Sequence, residues 1–216
     1  MMRTIDLIVF DLDGTLVDSL PDLANAANFA RRSLRLPEHP AAALKGMIGG
    51  GERKFVERFL GPGQEGLLEE GLRLYLDYYS RHCGVLTRLY PQVGETLPRL
   101  VGKKLAVLSN KQQRLTEKVV QAMGLFPLFA AVRGGGRGLP LKPAPEPLLA
   151  LIQELQAEPG RTLMVGDKTA DVLAGKAAGA LTLGVTYGYG DPGALKAAAP
   201  DFLVDHFADI PGIIGP

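Results

Sequence analysis

The sequence predicts an α/β fold: a Rossmann-like parallel sheet flanked by helices, carrying an inserted α-helical segment. Two observations lead to it. Along most of the chain, apolar runs of strand length alternate with stretches of helical spacing, which is the order of a parallel sheet with helices on both faces. Between about Leu16 and Tyr90 that alternation stops and only helical spacing remains.

Taken in order, Ile5-Asp6-Leu7-Ile8-Val9-Phe10 is an apolar run ended by a polar cluster, and it reads as a buried strand. Asp22 to Leu34, Glu52 to Phe59 and Gln64 to Tyr79 then carry apolar residues at helical spacing, with no buried strand among them. The core resumes near Pro91. Leu105 to Ser109 is the second strand, followed by a helix from Leu115 to Met123. A weaker strand spans Phe129 to Val132, and Gly134-Gly135-Gly136 is the one low-complexity stretch. Pro147 to Leu155 is helical, Thr162 to Gly166 extended, Ala170 to Ala178 helical. Leu181 to Thr186 and Asp201 to Val204 complete the strands. Gly124 and Gly179 stand where glycines end helices. The expected division is a core of residues 1–16 and 88–216 and a helical segment of residues 17–87, with joints near Val17–Pro21 and Thr87–Pro91.

Composition narrows the function. Of 216 residues, 24 are Lys or Arg and 23 Asp or Glu, so the formal charge is +1, without the basic excess of a nucleic-acid binder. Hydrophobic residues make up 46%, too many for a disordered chain of so small a net charge. No apolar run reaches the roughly 18–20 residues of a membrane span. The start, Met1 to Phe10, reads as strand and not as a signal peptide. A single cysteine, Cys83, forms no internal disulfide, which fits a reducing compartment and a cytoplasmic location. His39, His82 and His206 lie far from any motif and read as structural or surface residues.

In sheets of this kind ligands bind beyond the carboxyl ends of the strands, and those ends are polar here. The first is followed by Asp11-Leu12-Asp13-Gly14-Thr15. Two residues apart on extended chain, Asp11 and Asp13 point the same way. Carboxylates that close repel unless a cation or a shared proton compensates, which favours a hard ion such as Mg²⁺; the bland alternative is a solvated turn or a helix cap. Ser109-Asn110 ends the second strand and offers a hydroxyl to a phosphate oxygen, or simply starts a helix. Lys142, stiffened by Pro143, sits after a glycine-rich loop and is placed to neutralise Asp11 and a phosphoryl group, or is an exposed loop lysine. Asp167 ends the strand at Gly166, and Asp171 falls on the first turn of the next helix, where capping is the alternative.

Asp-x-Asp-Gly-Thr, then strand-Ser-Asn, then Lys-Pro, then Gly-Asp-x-x-x-Asp is an ordered set, and it resembles the haloacid dehalogenase-like phosphatases. Within them it is most similar to the phosphoglycolate phosphatase group, through Asp11 to Leu23, Ile48 to Arg53, Leu139 to Leu149 and Gly184 to Gly190. The resemblance implies a helical cap for residues 17–87. It implies a Mg²⁺-dependent phosphatase acting through an aspartyl-phosphate, with 2-phosphoglycolate as the expected substrate and pyrophosphate or a sugar phosphate as the alternative. Asp11 would be the nucleophile and Asp13 the acid and base. Mg²⁺ would be held by Asp11, the Asp13 backbone carbonyl and Asp167, with Asp171 orienting its waters. Ser109, Asn110 and Lys142 would grip the phosphoryl oxygens.

The same resemblance makes the Lys45–Gly51 loop the specificity element, with Gly50 allowing close approach and Lys45, Arg53 or Lys54 pairing with a substrate carboxylate. The sequence departs from its relatives at Lys168, usually a small hydroxyl residue, which either contacts phosphate or metal or, as the favoured reading, points to solvent. It departs also at Ala170, a common Asn, and at Gly136-Arg137, where an acid is frequent. Related phosphosugar mutases carry a histidine absent from Asp18 to Phe29 here, and usually Val where Thr15 stands. Asp13 argues against dehalogenase chemistry, and the intact set Asp11, Asp13, Lys142 and Asp167 against a non-catalytic phospho-ligand sensor. The expected partner is a small phosphomonoester, with no nucleic acid and no membrane, and the chain is expected to be a monomer or homodimer.

Overall fold

The computed structural model describes residues 4–136 and 138–214, so the expectation at Arg137 and the first residues of the chain lie outside it. The chain runs β1 (Leu7–Phe10), β2 (Val17–Asp18), α1 (Leu20–Ser33), α2 (Ala41–Lys45), α3 (Glu52–Leu60), α4 (Leu68–His82) and β3 (Arg88–Leu89). It continues α5 (Val93–Thr96), β4 (Lys104–Gln112), α6 (Gln113–Ala122), β5 (Ala131–Gly135), α7 (Glu146–Glu154) and β6 (Thr162–Gly166). It ends α8 (Thr169–Ala177), β7 (Leu181–Val185), α9 (Pro192–Ala197), β8 (Phe202–Val204) and α10 (Ile210–Ile214).

Six strands form one sheet in the order β5-β4-β1-β6-β7-β8, and every neighbouring pair is parallel. This is the Rossmann-like α/β core that the alternation predicts. Side-chain alternation along β1 splits the interior in two. Ile8 and Phe10 join Val107, Val165 and Leu183 under Val119, Val120, Ile210 and Ile214 on one face. Leu7 and Val9 join Ala106, Leu108 and Met164 under Leu148, Leu151 and Ile152 on the other. The chain moves outward from β1 through β4 to β5, then returns to β6 on the far side of β1. The strand order therefore reverses at β1, and the crevice for a ligand opens at its carboxyl end.

Helices α1 to α4 have a core of their own. The alanine-rich face of α1 (Ala24, Ala26, Ala27, Ala30) packs with Leu23, Phe55, Val56, Phe59, Tyr75 and Tyr79. Tyr75 and Tyr79, one helical turn apart on α4, stack with ring centroids 5.6 Å apart. Leu115 of α6 is the buried contribution from the sheet side.

Three differences from the sequence reading have clear causes. β2 and β3 form an antiparallel two-stranded ribbon at the ends of the helical segment, Val17 opposite Leu89 and Asp18 opposite Arg88. Two residues are too few to show a period. Second, β4 runs on past Ser109 to Gln112, with an irregular register between Leu108 and Gln112. Third, Gly134 and Gly135 belong to β5. A side chain at Gly134 would meet the backbone of Gln113 and Lys111 at 2.6 Å, so only glycine lets these segments approach.

The ribbon is braced by Asp22 at the start of α1. Its buried carboxylate accepts hydrogen bonds from the backbone N–H groups of Gly84, Leu86 and Thr87 at 2.9–3.1 Å and from the Thr87 hydroxyl at 2.7 Å. Outgoing and returning chain are thereby tied together.

Candidate active site

The Asp11 backbone N–H bonds Val165 O at 2.8 Å, extending the β1–β6 ladder one residue and fixing where the carboxylate leaves the sheet. Gly14 then turns the chain at φ +91°, and a side chain there would stand 2.3 Å from Asp167 Oδ2, so the turn requires glycine. Asp167 is anchored by the N–H groups of Tyr189 (2.7 Å) and Gly190 (3.0 Å) on Oδ2. The loop after β7, one of the stretches carrying the family resemblance, thus orients an acidic residue at the end of β6.

Lys142 is buried and has three partners: Asp11 Oδ1 at 3.0 Å, Asp171 Oδ1 at 2.7 Å and the Leu108 carbonyl at 2.6 Å. Burial pulls its ammonium down, but Asp11 and Asp171 outweigh that and hold it above its ordinary value. Asp11 is pushed up to about 7, chiefly by burial and further by Asp171 and Asp167, against the pull of Lys142. Asp167 is likewise raised by burial. Asp11, Asp167 and Asp171 offer carboxylate oxygens within 4.8 Å of one another. Lys142, with the more distant charge of Lys168, leaves three acids for two cations, and an all-oxygen donor set suits a hard divalent cation. The acids gathered here are Asp11, Asp167 and Asp171. Asp171 keeps one oxygen on Lys142 and the other on the Lys168 N–H, at 3.1 Å.

The Asp13 side chain lines the same cavity but stands apart from these three acids. Its Oδ1 accepts from the Ser19 hydroxyl and from Lys111 Nζ at 2.7 Å. Lys111 is buried and also donates to the Tyr79 hydroxyl of α4 at 2.8 Å. Burial lowers the Lys111 ammonium, and the charge of Asp13 more than restores it. Lys111 and Tyr79 are residues that sequence reasoning missed. A signal existed: Ser109 and Lys111 are two apart on one strand, so they share a face.

These residues line a cavity of about 70 Å³, with Asp11, Asp13, Ser109, Asn110, Lys111, Lys142, Lys168 and Asp171 on the core side and Leu23, Ile48, Gly49, Gly50, Gly51, Glu52, Phe55 and Tyr75 on the helical side. Ser109 is buried there. Asn110 lines the cavity but commits its side chain to Lys142, accepting from its N–H and donating to its carbonyl, both at 2.8 Å. Its amide positions the lysine.

The helical cations are not brought into the cavity. Arg53 is exposed and pairs with Glu69 at 2.5 Å. Its neighbour Glu52 points inward instead, its Oε1 accepting from the Gln112 N–H at 2.8 Å, because successive residues on a helix face directions about 100° apart. Lys45 and Lys54 are exposed; Lys45 lies over the Tyr189 ring at 6.0 Å, outside the cavity. Gly50 does line it. Lys168 does not point to solvent: it is half-buried and donates from Nζ to the Ile48 carbonyl at 2.8 Å. The glycine loop leaves it room to reach that carbonyl. Ala170 also lines the cavity.

Among known proteins, residues 5–179 match the family model of the haloacid dehalogenase-like hydrolases. The chain is 37% identical to the phosphoglycolate phosphatase of Neisseria meningitidis serogroup A, over 95% of this chain and 92% of the relative. It is 38% identical to that of Haemophilus influenzae, over 96% and 97%. A crystal structure of a predicted phosphoglycolate phosphatase from Haemophilus somnus superposes with a TM-score of 0.90 at 34% identity, covering both chains fully.

Proposed function

The chain belongs to the haloacid dehalogenase-like hydrolases and is a phosphoric monoester hydrolase, and from that premise we propose that it hydrolyses 2-phosphoglycolate to glycolate and phosphate, with Mg²⁺ bound, through an aspartyl-phosphate on Asp11. The observation that carries the reading is the convergence of Asp11, Asp13, Ser109 and Lys142 on one small cavity between the core and the helical side. The relatives' names favour the same substrate.

In this mechanism residues 17–87 form a cap that shields the reaction from water. Asp11 attacks phosphorus. Asp13, oriented by Lys111 and Ser19, delivers a proton to the leaving oxygen and later takes one from the hydrolytic water. Lys142 neutralises Asp11 and the phosphoryl oxygens, and Ser109 offers them its hydroxyl. Asp11, Asp167 and the Asp13 backbone carbonyl would hold the metal, and Asp171 would orient its waters. When bound, the ion supplies charge neutralisation to the phosphoryl oxygens.

The test is phosphate release from a panel of esters with Mg²⁺. A kcat/KM highest for 2-phosphoglycolate is the expected result. A preference for pyrophosphate or a sugar phosphate would replace the substrate and leave the chemistry standing. No metal-dependent release from any ester would overturn the assignment.

A further inference from the structure

A two-carbon acid phosphate carries a second anion beside its phosphoryl group, and the cavity must answer it with a cation. Three ammonium groups line the cavity. Lys142 holds Asp11 and Asp171, and Lys111 holds Asp13. The third, Lys168, has no carboxylate within ion-pair distance among the described residues, although its charge reaches Asp167 and Asp11 from further away; its hydrogen-bond partner is a neutral peptide oxygen, Ile48 O. An ammonium has three N–H donors, so capacity remains on this one.

Its setting fits that use. Lys168 leaves the core immediately after Asp167, crosses to the glycine loop, and lines both the inner cavity and an outer groove of the helical side. The groove also carries Lys45 and Arg58, against the one acid Asp191. An anionic substrate therefore approaches through positive charge and meets Lys168 at the boundary. Gly49, at φ +124°, keeps the passage: a side chain there would stand 3.1 Å from Lys168 Nζ. The ammonium also lies over the Tyr189 ring, 5.8 Å from its centroid.

Resting on the reading of a small ester with two anionic groups, we propose that Lys168 is the specificity-determining cation, which binds the substrate's non-transferred anionic group while holding the Ile48 carbonyl. One side chain then joins core, glycine loop and substrate, so that an ester with a second anionic group is bound in preference to one whose only charge is on the phosphoryl group. Arg53, expected in this part from the sequence, serves the outer surface instead.

The experiment compares 2-phosphoglycolate with 2-hydroxyethyl phosphate, which has a hydroxymethyl group in place of the carboxylate, at saturating Mg²⁺. Lys168→Met is expected to lower kcat/KM for 2-phosphoglycolate about 10- to 100-fold, mostly through KM, as loss of a charge-assisted hydrogen bond does, with the hydroxyethyl ester changed less than about threefold. Lys168→Arg should recover most of the discrimination. An equal loss on both esters, or an unchanged ratio between them, overturns the proposal. If the unmodified protein does not favour 2-phosphoglycolate over the hydroxyethyl ester, the substrate reading fails by itself. Pyrophosphate then serves as the substrate with a second anionic group, and the role of Lys168 stands if Lys168→Met lowers its ratio to the hydroxyethyl ester and falls if it does not.

Discussion

Lys142 and Arg53 are both cations that the sequence aims at the substrate, one on the sheet side and one on the helical side. In the folded chain the Lys142 side chain is 2% exposed and fixed by two carboxylates and a carbonyl. The Arg53 side chain is 58% exposed and meets a glutamate that is itself 75% exposed. The difference lies in how the two regions aim their side chains. A parallel sheet collects its strand ends at one edge, so a polar residue at a strand tip is delivered to the crevice by topology. A helix turns its side chains through about 100° per residue, so knowing that a segment covers the site does not say which residues face it.

That contrast can be tested at several strengths. Asp11→Asn should lower phosphatase kcat by at least about 10⁴-fold, because nothing else at the edge replaces the nucleophile; near-normal turnover would break the assignment. Chelation by EDTA should remove at least about 99.9% of activity, with Mg²⁺ restoring it, if a divalent ion neutralises the three acids. Lys142→Met should cost about 10²- to 10³-fold in kcat. It should also lower the melting temperature of the metal-free protein, since two buried carboxylates lose their counter-charge. Tyr79→Phe, which removes the helical partner of Lys111, should cost about 2- to 10-fold in kcat, one hydrogen bond's worth. Arg53→Ala should leave kcat/KM within about twofold, as exposed ion pairs contribute little; a tenfold rise in KM would return the arginine to the substrate.

The sheet was legible because its strands are apolar runs closed by polar residues, and β6 begins and ends where Thr162 and Gly166 suggest. Asp11 and Asp167 were legible for the same reason, whereas Lys142 was legible from its place between a glycine-rich loop and Pro143. Lys111 was not, because Ser109-Asn110 looks like the end of a strand that in fact continues to Gln112. Lys168 was misjudged because its direction depends on Ile48, 120 residues earlier in the chain, and no local pattern encodes that meeting. Asn110 offered the right chemistry, yet its amide matches both backbone groups of Lys142.

The small ribbon between β2 and β3 has a consequence for how such a molecule can be rebuilt. Tyr90 N–H bonds the Leu16 carbonyl at 3.1 Å, so the chain leaves the sheet and returns to it at almost the same point. Closing a flexible loop costs only about 0.6 kcal/mol more for each doubling of its length. To the sheet, everything between the two ribbon strands is therefore interchangeable cargo on a fixed socket: a shorter turn, a different bundle or a whole foreign module could be plugged in there while the strands behind it keep their register.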